Sequence, residues 1–197
     1  MTTLQPYTRP DVQVYEGEIE SPSLSQEEYM ALRDAMTTMR DLLICKMLRG
    51  TGFRINELLR CSVDQLQVNG PDTGLWVARE KKRSSKPVYG LVPLPPGLGV
   101  ELKDYLKQAM RVRERQIFTV SDRQVRRVFA TAGLKALGRA VHPHERRGLY
   151  IKSLIDGGLP LEATAKMVGH EDPKTTLKYY YRLSAHQIAE IQRRVQV

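Results

Sequence analysis

The sequence MVGHEDPKTTLKYYY, residues Met167–Tyr181, is the most informative stretch of the chain. It contains His170, which follows a glycine and stands nine residues before Tyr179. Between the two, Pro173 follows an aspartate, and proline is favoured at the first position of a helix. We therefore expect the histidine and the phenol to be presented from two adjoining short elements.

This spacing resembles the end of the tyrosine recombinase (phage integrase) catalytic domain. That domain ends with Leu-Gly-His, a short polar turn, a Thr-Thr pair and the nucleophilic tyrosine. The resemblance implies that His170 contacts a phosphate and that Tyr179 is the nucleophile. Tyr180 and Tyr181 are its neighbours, but successive helical side chains point about 100° apart, so one of the three can face the site. The spacing from His170 selects Tyr179; the alternative is that all three are core or surface aromatics.

A second stretch, Thr51–Leu58, has the sequence TGFRINEL. Its Arg54 comes shortly after Gly50 and Gly52, which are expected to end a helix. A guanidinium and the free N–H groups of a helix N-terminus can converge on one anion. An arginine at such a position is more often a surface residue. The stretch resembles the recombinase box Thr-Gly-x-Arg-x-x-Glu-Leu, which implies that Arg54 is the first catalytic arginine and Glu57 a supporting carboxylate.

A third stretch, Val141–Tyr150 with the sequence VHPHERRGLY, carries a His-x-x-Arg motif. If Pro143 starts a helix, His144 and Arg147 share one face and can reach the same anion. The motif resembles the recombinase His-x-x-Arg box, and the register favours these two residues over His142 and Arg146. Gly148 stands where many relatives have a larger residue, which bears on how this helix packs.

Between the second stretch and the third, the sequence predicts a small antiparallel sheet with a basic tip. Residues 75–78 and 88–92 suit strands, and residues 80–86 between them read EKKRSSK. A basic hairpin tip is usually solvated. The family carries a mobile catalytic lysine here, and we favour Lys82 over Lys81 and Lys86, although this longer tip has several lysines. The other basic residues of the tip are expected to contact DNA: Lys81, Arg83 and Lys86.

The remaining helices follow from caps and apolar spacing. Ser25 and Glu28 form a predicted capping box for the first helix. The second runs from about Arg40 to Leu48, is apolar on one side, and is expected to end at Gly50 and Gly52. Ser121 caps a later helix whose basic stripe, Arg123, Arg126 and Arg127, is the main DNA-facing candidate. Its alternative is a charged solvent face.

Charge is distributed unevenly along the chain. The net charge is +9 over 197 residues, yet residues 1–40 hold three basic and seven acidic residues, so the remainder carries +13. Such an excess points to a polyanion as the partner, with a solvated basic surface as the alternative. Cys45 and Cys61 lie in apolar patterns without metal-ligand spacing and are predicted to be reduced core residues. We find no apolar run near the ~20 residues of a membrane span and no signal peptide, and expect a cytoplasmic protein.

The predicted fold is therefore α+β and mainly α-helical, a recombinase-like helical bundle with a small antiparallel sheet. Residues 1–23 are expected to form an extended arm or linker, and 24–183 the catalytic domain. Residues 184–197 are expected to form a C-terminal helix that docks on its own domain or on a neighbouring protomer. Relatives carry a further helical domain of about a hundred residues, which 24 positions cannot hold. The chain is thus either a naturally short member or a fragment.

The resemblance implies a site-specific recombinase or integrase that acts on double-stranded DNA as a homotetramer. Arg54, Arg147 and His170 would neutralise the phosphate, and Tyr179 would attack with His144 as its proton acceptor. The hairpin lysine would protonate the leaving 5′ oxygen, giving a covalent 3′-phosphotyrosyl intermediate. This chemistry requires neither metal nor ATP. The alternatives are a noncatalytic DNA-binding regulator that keeps the fold and a relaxase resembling type IB topoisomerases.

Overall fold

The computed structural model describes residues 24–70, 73–79, 88–108 and 115–169. The expected arm 1–23 and C-terminal helix 184–197 lie outside these ranges. Within them the chain forms seven α-helices and one three-stranded antiparallel sheet, which confirms the predicted mainly helical α+β class. The helices are α1 (Gln26–Asp34), α2 (Met39–Thr51), α3 (Ile55–Leu59), α4 (Leu98–Gln108), α5 (Asp122–Leu137), α6 (Glu145–Asp156) and α7 (Leu161–Val168). The strands are β1 (Leu66–Gln67), β2 (Gly74–Arg79) and β3 (Val88–Pro93).

Helix α2 lies at the centre of the core. Its residues Leu43, Ile44, Cys45, Met47 and Leu48 are all buried, and it packs against α1, α3, α4 and α6. A helix that is apolar around most of its circumference is stable only when other elements cover it. Its position in the middle of the bundle therefore follows from its composition. Both cysteines are free and buried, as expected from their apolar surroundings.

The ends of α2 differ from the prediction at one glycine. The helix continues through Gly50 to Thr51, and Gly52 is its C-cap residue, with a left-handed φ of 65°. Thr38 caps its start, since the Thr38 hydroxyl accepts a hydrogen bond from the Asp41 N–H at 3.1 Å. The capping box of α1 is confirmed, because the Glu28 carboxylate accepts from the Ser25 N–H while Ser25 Oγ accepts from the Glu28 N–H.

The sheet has the order β1-β2-β3. Strand β2 pairs with β3 in the register Leu75 to Val92 and Trp76 to Leu91, with Arg79 opposite Val88 at the far end. Leu75 and Val92 are buried, whereas Trp76 is exposed, so one face of the sheet covers the core. The two predicted strands are confirmed, and the basic residues 80–87 connect their ends.

The helix of the His-x-x-Arg motif starts later than Pro143. Pro143 and His144 form a turn, and α6 begins at Glu145 with His144 as its N-cap residue. The Glu145 carboxylate closes this turn by accepting the His142 N–H at 2.7 Å. Helix α6 ends at Asp156, with Gly157 as its C-cap residue. Helix α7 starts at Leu161, because Pro160 keeps extended backbone (ψ of 147°) directly before it.

Candidate active site

The Glu57 carboxylate lies between two arginines from distant parts of the chain. Arg54 Nη1 donates to Glu57 Oε1 at 2.8 Å, and the Arg54 backbone N–H donates to Glu57 Oε2 at 2.7 Å. Arg147 Nη1 is 4.0 Å from Glu57 Oε2. The carboxylate thus caps the start of α3 and brings together the arginines of two motifs that stand 93 positions apart in the sequence.

Arg147 is buried, with 2% of its side chain exposed. Its Nη1 donates to the Gly52 carbonyl oxygen at 2.6 Å, and its Nη2 donates to the Val168 carbonyl oxygen. Arg147 therefore joins three elements: the end of α2, the first turn of α6 and the end of α7. Arg54, by contrast, keeps 48% of its side chain exposed and is the first of the two guanidinia that an incoming anion meets.

His144 is close enough to Arg147 and Arg54 for their charges to act on its imidazole. The residue is exposed overall, but neighbouring protein removes part of the imidazole from water. This desolvation, followed by the positive charges of Arg147, Arg54 and Arg126, lowers the pKa of His144 below its ordinary value. The imidazole is therefore held in its neutral form at neutral pH, in which one ring nitrogen can accept a proton.

Close packing between α2 and α6 holds this arrangement in place. A Cβ atom at Gly52 would lie 2.3 Å from Cδ1 of Tyr150, so only glycine allows the end of α2 to approach α6 this closely. The left-handed φ of Gly52 favours glycine as well. Thr51 Oγ1 donates to the Met47 carbonyl at 2.7 Å and accepts the Phe53 N–H at 3.3 Å, which fixes the turn that leads to Arg54.

The predicted basic stripe lies on α5, where Arg123, Arg126 and Arg127 are all exposed. Ser121 Oγ accepts the Gln124 N–H at 3.2 Å and confirms the predicted cap. Arg126 donates to both carboxylate oxygens of Asp122, at 2.6 and 3.1 Å, which raises its pKa. In the described part of the chain Arg123 and Arg127 form no ion pair, so their charges face solvent.

Arg146 points away from the candidate site. It is 0% exposed, and its guanidinium carbon lies 3.8 Å from the centre of the Phe129 ring. Among the residues that the structure describes, its hydrogen bond is from Nη1 to Cys45 Sγ at 3.9 Å, and its Nε and Nη2 atoms find no partner there. His142 is exposed. Of the two arginines considered for the His-x-x-Arg role, Arg147 is the one that meets Arg54.

Two further residues at this site escaped the sequence reasoning. The buried Glu145 accepts the His142 N–H and also accepts from Arg139 Nη1 at 2.8 Å. Arg139 Nη2 reaches Glu28 Oε1 on α1 at 3.3 Å. The spacing of His142 and Glu145 is that of a capping box and could have indicated Glu145. The contact of Arg139 with Glu28 spans 111 positions and leaves no local signal in the sequence.

Several expected site residues lie outside the described residues, namely Lys81, Lys82, Arg83, Lys86, His170 and Tyr179. Their roles stay predictions. Chain position connects His170 to the site, since it comes two positions after Val168, whose carbonyl accepts from Arg147. Residues 80–87 join the paired ends of β2 and β3.

The described ranges contain no group of three His, Cys, Asp or Glu side chains arranged to hold a metal ion. They also contain no helix with the length and apolar character that crossing a bilayer requires.

Comparison with protein-family models gives a match to the Phage integrase family over residues 22–187. Among curated proteins, the tyrosine recombinase XerA of Thermococcus kodakarensis is 31% identical over 169 residues, which cover 80% of this chain and 57% of that protein. XerA of Pyrococcus furiosus is 26% identical over 178 residues, covering 85% and 59%. The chain thus spans somewhat more than half the length of these relatives.

Solved structures show the same fold. A crystal structure of XerA recombinase superposes with a TM-score of 0.70 at 22% identity, covering 90% of this chain and 66% of that one. The pre-cleavage complex of XerH recombinase with its difH substrate gives a TM-score of 0.67 at 18% identity, covering 86% and 52%.

Proposed function

The chain belongs to the Phage integrase family, and we propose that it is a tyrosine-type, site-specific DNA recombinase that cuts and rejoins strands through a phosphotyrosyl intermediate. Similar proteins are named tyrosine recombinases, and a structural neighbour is bound to its DNA substrate.

One observation carries the proposal: Arg54, Glu57, His144 and Arg147 come from two separate motifs and meet at one place. Arg54 and Arg147 approach the same Glu57 carboxylate, and the positive charges of both arginines lower the pKa of His144. Each motif alone is common in unrelated proteins. Two cations and a neutral imidazole at one point, beside an exposed basic helix, suit a phosphodiester of DNA.

The arginines supply what phosphodiester cleavage needs first. The negative nonbridging oxygens repel a nucleophile, so charge must be neutralised as the five-coordinate phosphorane forms. Arg54 is exposed and would contact these oxygens directly. Arg147 is buried and fixed by two carbonyls, so it would act as a preorganised cation behind Arg54. Glu57 holds Arg54 in place and lies 4.0 Å from Arg147, and His170 would add a further donor.

The bond changes are those of transesterification. The Tyr179 oxygen forms a bond to phosphorus while the bond from phosphorus to the 5′ oxygen breaks. The phenolic proton passes to the neutral imidazole of His144, and Lys82 donates a proton to the leaving 5′ oxygen. The new link is a 3′-phosphotyrosine, and attack by a 5′ hydroxyl of another strand reverses the step. One phosphoester bond replaces another, so no external energy source is required.

DNA would be held by the exposed arginines Arg123 and Arg127 on α5 and by the basic connection between β2 and β3. The latter contributes Lys81, Arg83 and Lys86. Strand exchange requires two duplexes and therefore several copies of the enzyme, and we propose a homotetramer on DNA. The cytoplasm is the compartment where such a protein would meet its substrate.

Covalent trapping tests the proposal. A duplex carrying candidate sites from the flanking genome and a nick near the scissile phosphate releases a short fragment on cleavage, so the phosphotyrosyl adduct accumulates. Wild type is compared with Tyr179→Phe, Tyr180→Phe and Tyr181→Phe. The proposal predicts a denaturation-resistant adduct that only Tyr179→Phe abolishes.

Two outcomes would change the account. Loss of the adduct in another tyrosine variant would move the nucleophile within the same mechanism. Tight, salt-sensitive DNA binding without an adduct on any of the sites would favour a noncatalytic DNA-binding regulator instead.

A further inference from the structure

Arg139 lies outside the four motifs, yet it connects the first helix to the turn that carries His144. It stands in the connection between α5 and α6. Its Nη1 donates to Glu145 Oε2 at 2.8 Å, and its Nη2 donates to Glu28 Oε1 at 3.3 Å. The other oxygen of Glu145 accepts the His142 N–H at 2.7 Å, two residues before His144. A continuous chain of hydrogen bonds therefore runs from α1 to the start of α6.

The two carboxylates differ in exposure. The Glu145 side chain is 3% exposed, whereas that of Glu28 is 36% exposed. A buried carboxylate is stable only when its charge is compensated. Among the described residues Arg139 is the cation that pairs with Glu145, and these hydrogen bonds raise the pKa of Arg139. Removing the Arg139 guanidinium would leave Glu145 without its ion-pair partner and draw its carboxylate toward water.

The connection itself packs tightly on α5. A Cβ atom at Gly133 would lie 2.7 Å from the Arg139 carbonyl oxygen and 2.8 Å from the Val141 nitrogen. The backbone from Arg139 to Val141 is thus pressed against α5, while the Arg139 side chain ties the next residues to α1. His144 comes three residues after Val141, and its own side chain makes no hydrogen bond that caps α6.

We propose that Arg139 is a positioning residue for strand cleavage, which holds the His142–Glu145 turn against α1 through Glu28 and Glu145 and thereby sets the place of His144. The inference rests on the proposed function for the role of His144 as proton acceptor. It adds that α1 and the proton acceptor are coupled, so a shift of α1 is transmitted to the site.

A direct test measures the pKa of His144 in the full chain. The charges that face His144 are those of Arg147 on α6, Arg54 before α3 and Arg126 on α5, with Glu145 next to it in the chain. The chain has four histidines, so the His144 ring proton signals in an NMR titration are assigned by comparison with His144→Gln. Substituting Arg139→Met releases the turn and exposes the imidazole, and the pKa is expected to rise toward its ordinary value.

The matched control is Lys135→Met, which removes an exposed cation from the last turn of the neighbouring α5 and is expected to leave the His144 pKa unchanged. Arg139→Lys keeps the charge but can reach one carboxylate at a time, so it should give an intermediate value. Glu28→Gln is an exposed, milder change that should shift the pKa less than Arg139→Met. It keeps the test decisive if Arg139→Met does not fold.

Cleavage of the nicked duplex gives the second readout. Misplacing a catalytic group by about 1 Å can cost roughly 100-fold in rate. We expect Arg139→Met to lower the single-turnover rate by about tenfold or more at saturating DNA, with little change in DNA affinity. An unchanged His144 pKa in folded Arg139→Met and Glu28→Gln proteins would overturn the proposal. If wild type forms no adduct, the proposed function fails, and the titration still decides whether the coupling exists.

Discussion

Arg54 and Arg147 approach the same carboxylate, but only Arg147 is buried and bonded to two backbone carbonyls. A hydrogen bond from a charged donor contributes about 1.5–3 kcal/mol, whereas an exposed ion pair contributes below about 1 kcal/mol. We therefore expect Arg147→Lys to lower the free energy of unfolding by about 3 kcal/mol and Arg54→Lys to change it by less than about 1 kcal/mol. Urea denaturation of both variants checks this, and equal losses would contradict it.

Arg146 is a buried cation, two of whose nitrogen atoms have no hydrogen-bond partner in the described part of the chain, and such a group opposes folding. Replacing it with an apolar side chain of similar length, Arg146→Met, should leave stability unchanged or raise it by about 2 kcal/mol. Burial lowers the pKa of Arg146 to about 10, so the unfolded chain binds the proton more tightly than the folded one.

The free-energy cost of burying the charged Arg146 guanidinium is therefore complete below about pH 10, and it declines as the pH rises through about 10. The stability difference between variant and wild type should shrink across the same range. A loss of stability in Arg146→Met at pH 7 would show that stacking on Phe129 outweighs the buried charge.

If His144 is the proton acceptor, as proposed, it sets the pH dependence of cleavage. Its folded-state pKa is lowered, chiefly by burial of the ring. As a proton acceptor the imidazole must be neutral, so the cleavage rate should fall with decreasing pH around a midpoint below the ordinary value near 6.5. Single-turnover rates at saturating DNA between pH 5 and 8 measure this. Arg126→Gln should raise the midpoint only slightly, because the Arg126 charge is a smaller cause than burial.

At the scale of elements, the close packing of α2 against α6 depends on a glycine. Gly52 and Gly138 both have left-handed φ values, of 65° and 69°, but only a Cβ at Gly52 meets a neighbour, the Tyr150 ring. Gly138→Ala should therefore cost about 1–2 kcal/mol of backbone conformation alone. Gly52→Ala should cost distinctly more and also reduce cleavage, since the Gly52 carbonyl holds Arg147. Equal thermal shifts for the two variants would argue against the close contact.

The elements themselves were largely predictable from the sequence. Apolar spacing and the caps at Ser25 and Ser121 act over three or four residues, and the structure confirms both helices. Two helix boundaries differ from the prediction. Helix α2 runs through Gly50, which lies against Pro95 from a distant part of the chain. Helix α6 starts at Glu145 because that side chain closes the preceding turn, a local contact that the spacing from His142 could have indicated.

The motifs selected Arg54, His144 and Arg147, and the structure brings these three residues together. The roles of Lys82, His170 and Tyr179 stay predictions, because these residues lie outside the described ranges. Nothing in the sequence shows that Glu57 faces both arginines, or that Arg139 reaches Glu28 on the first helix. These contacts are set by how helices pack, and packing is not visible in the spacing of residues along one element.

At the scale of the whole molecule, the exposed arginines of α5 should set the salt dependence of DNA binding. Each phosphate contact contributes about 0.9 to the slope of log K against log salt concentration. We expect Arg123→Ala and Arg127→Ala each to reduce the slope by up to about 1, and Arg126→Ala less, because Arg126 is paired with Asp122. Lys152→Ala, which removes a cation paired with Asp156 on α6, is the matched control. Fluorescence anisotropy at several salt concentrations gives the slopes.

The central claim is that the two arginines meet in order to neutralise one phosphate of DNA. Its most direct measurement compares cleavage of a nicked duplex whose scissile phosphate is normal with one in which an uncharged methylphosphonate replaces it. Arg54→Ala is the suitable variant, since this side chain is half exposed and loss of its ion pair should cost less than about 1 kcal/mol of stability. The account predicts that Arg54→Ala lowers the cleavage rate at least about 100-fold on the phosphodiester. On the neutral substrate it should cleave at nearly the wild-type rate. An equal loss on both substrates would contradict a charge-neutralising role for Arg54 and, with it, the proposed site.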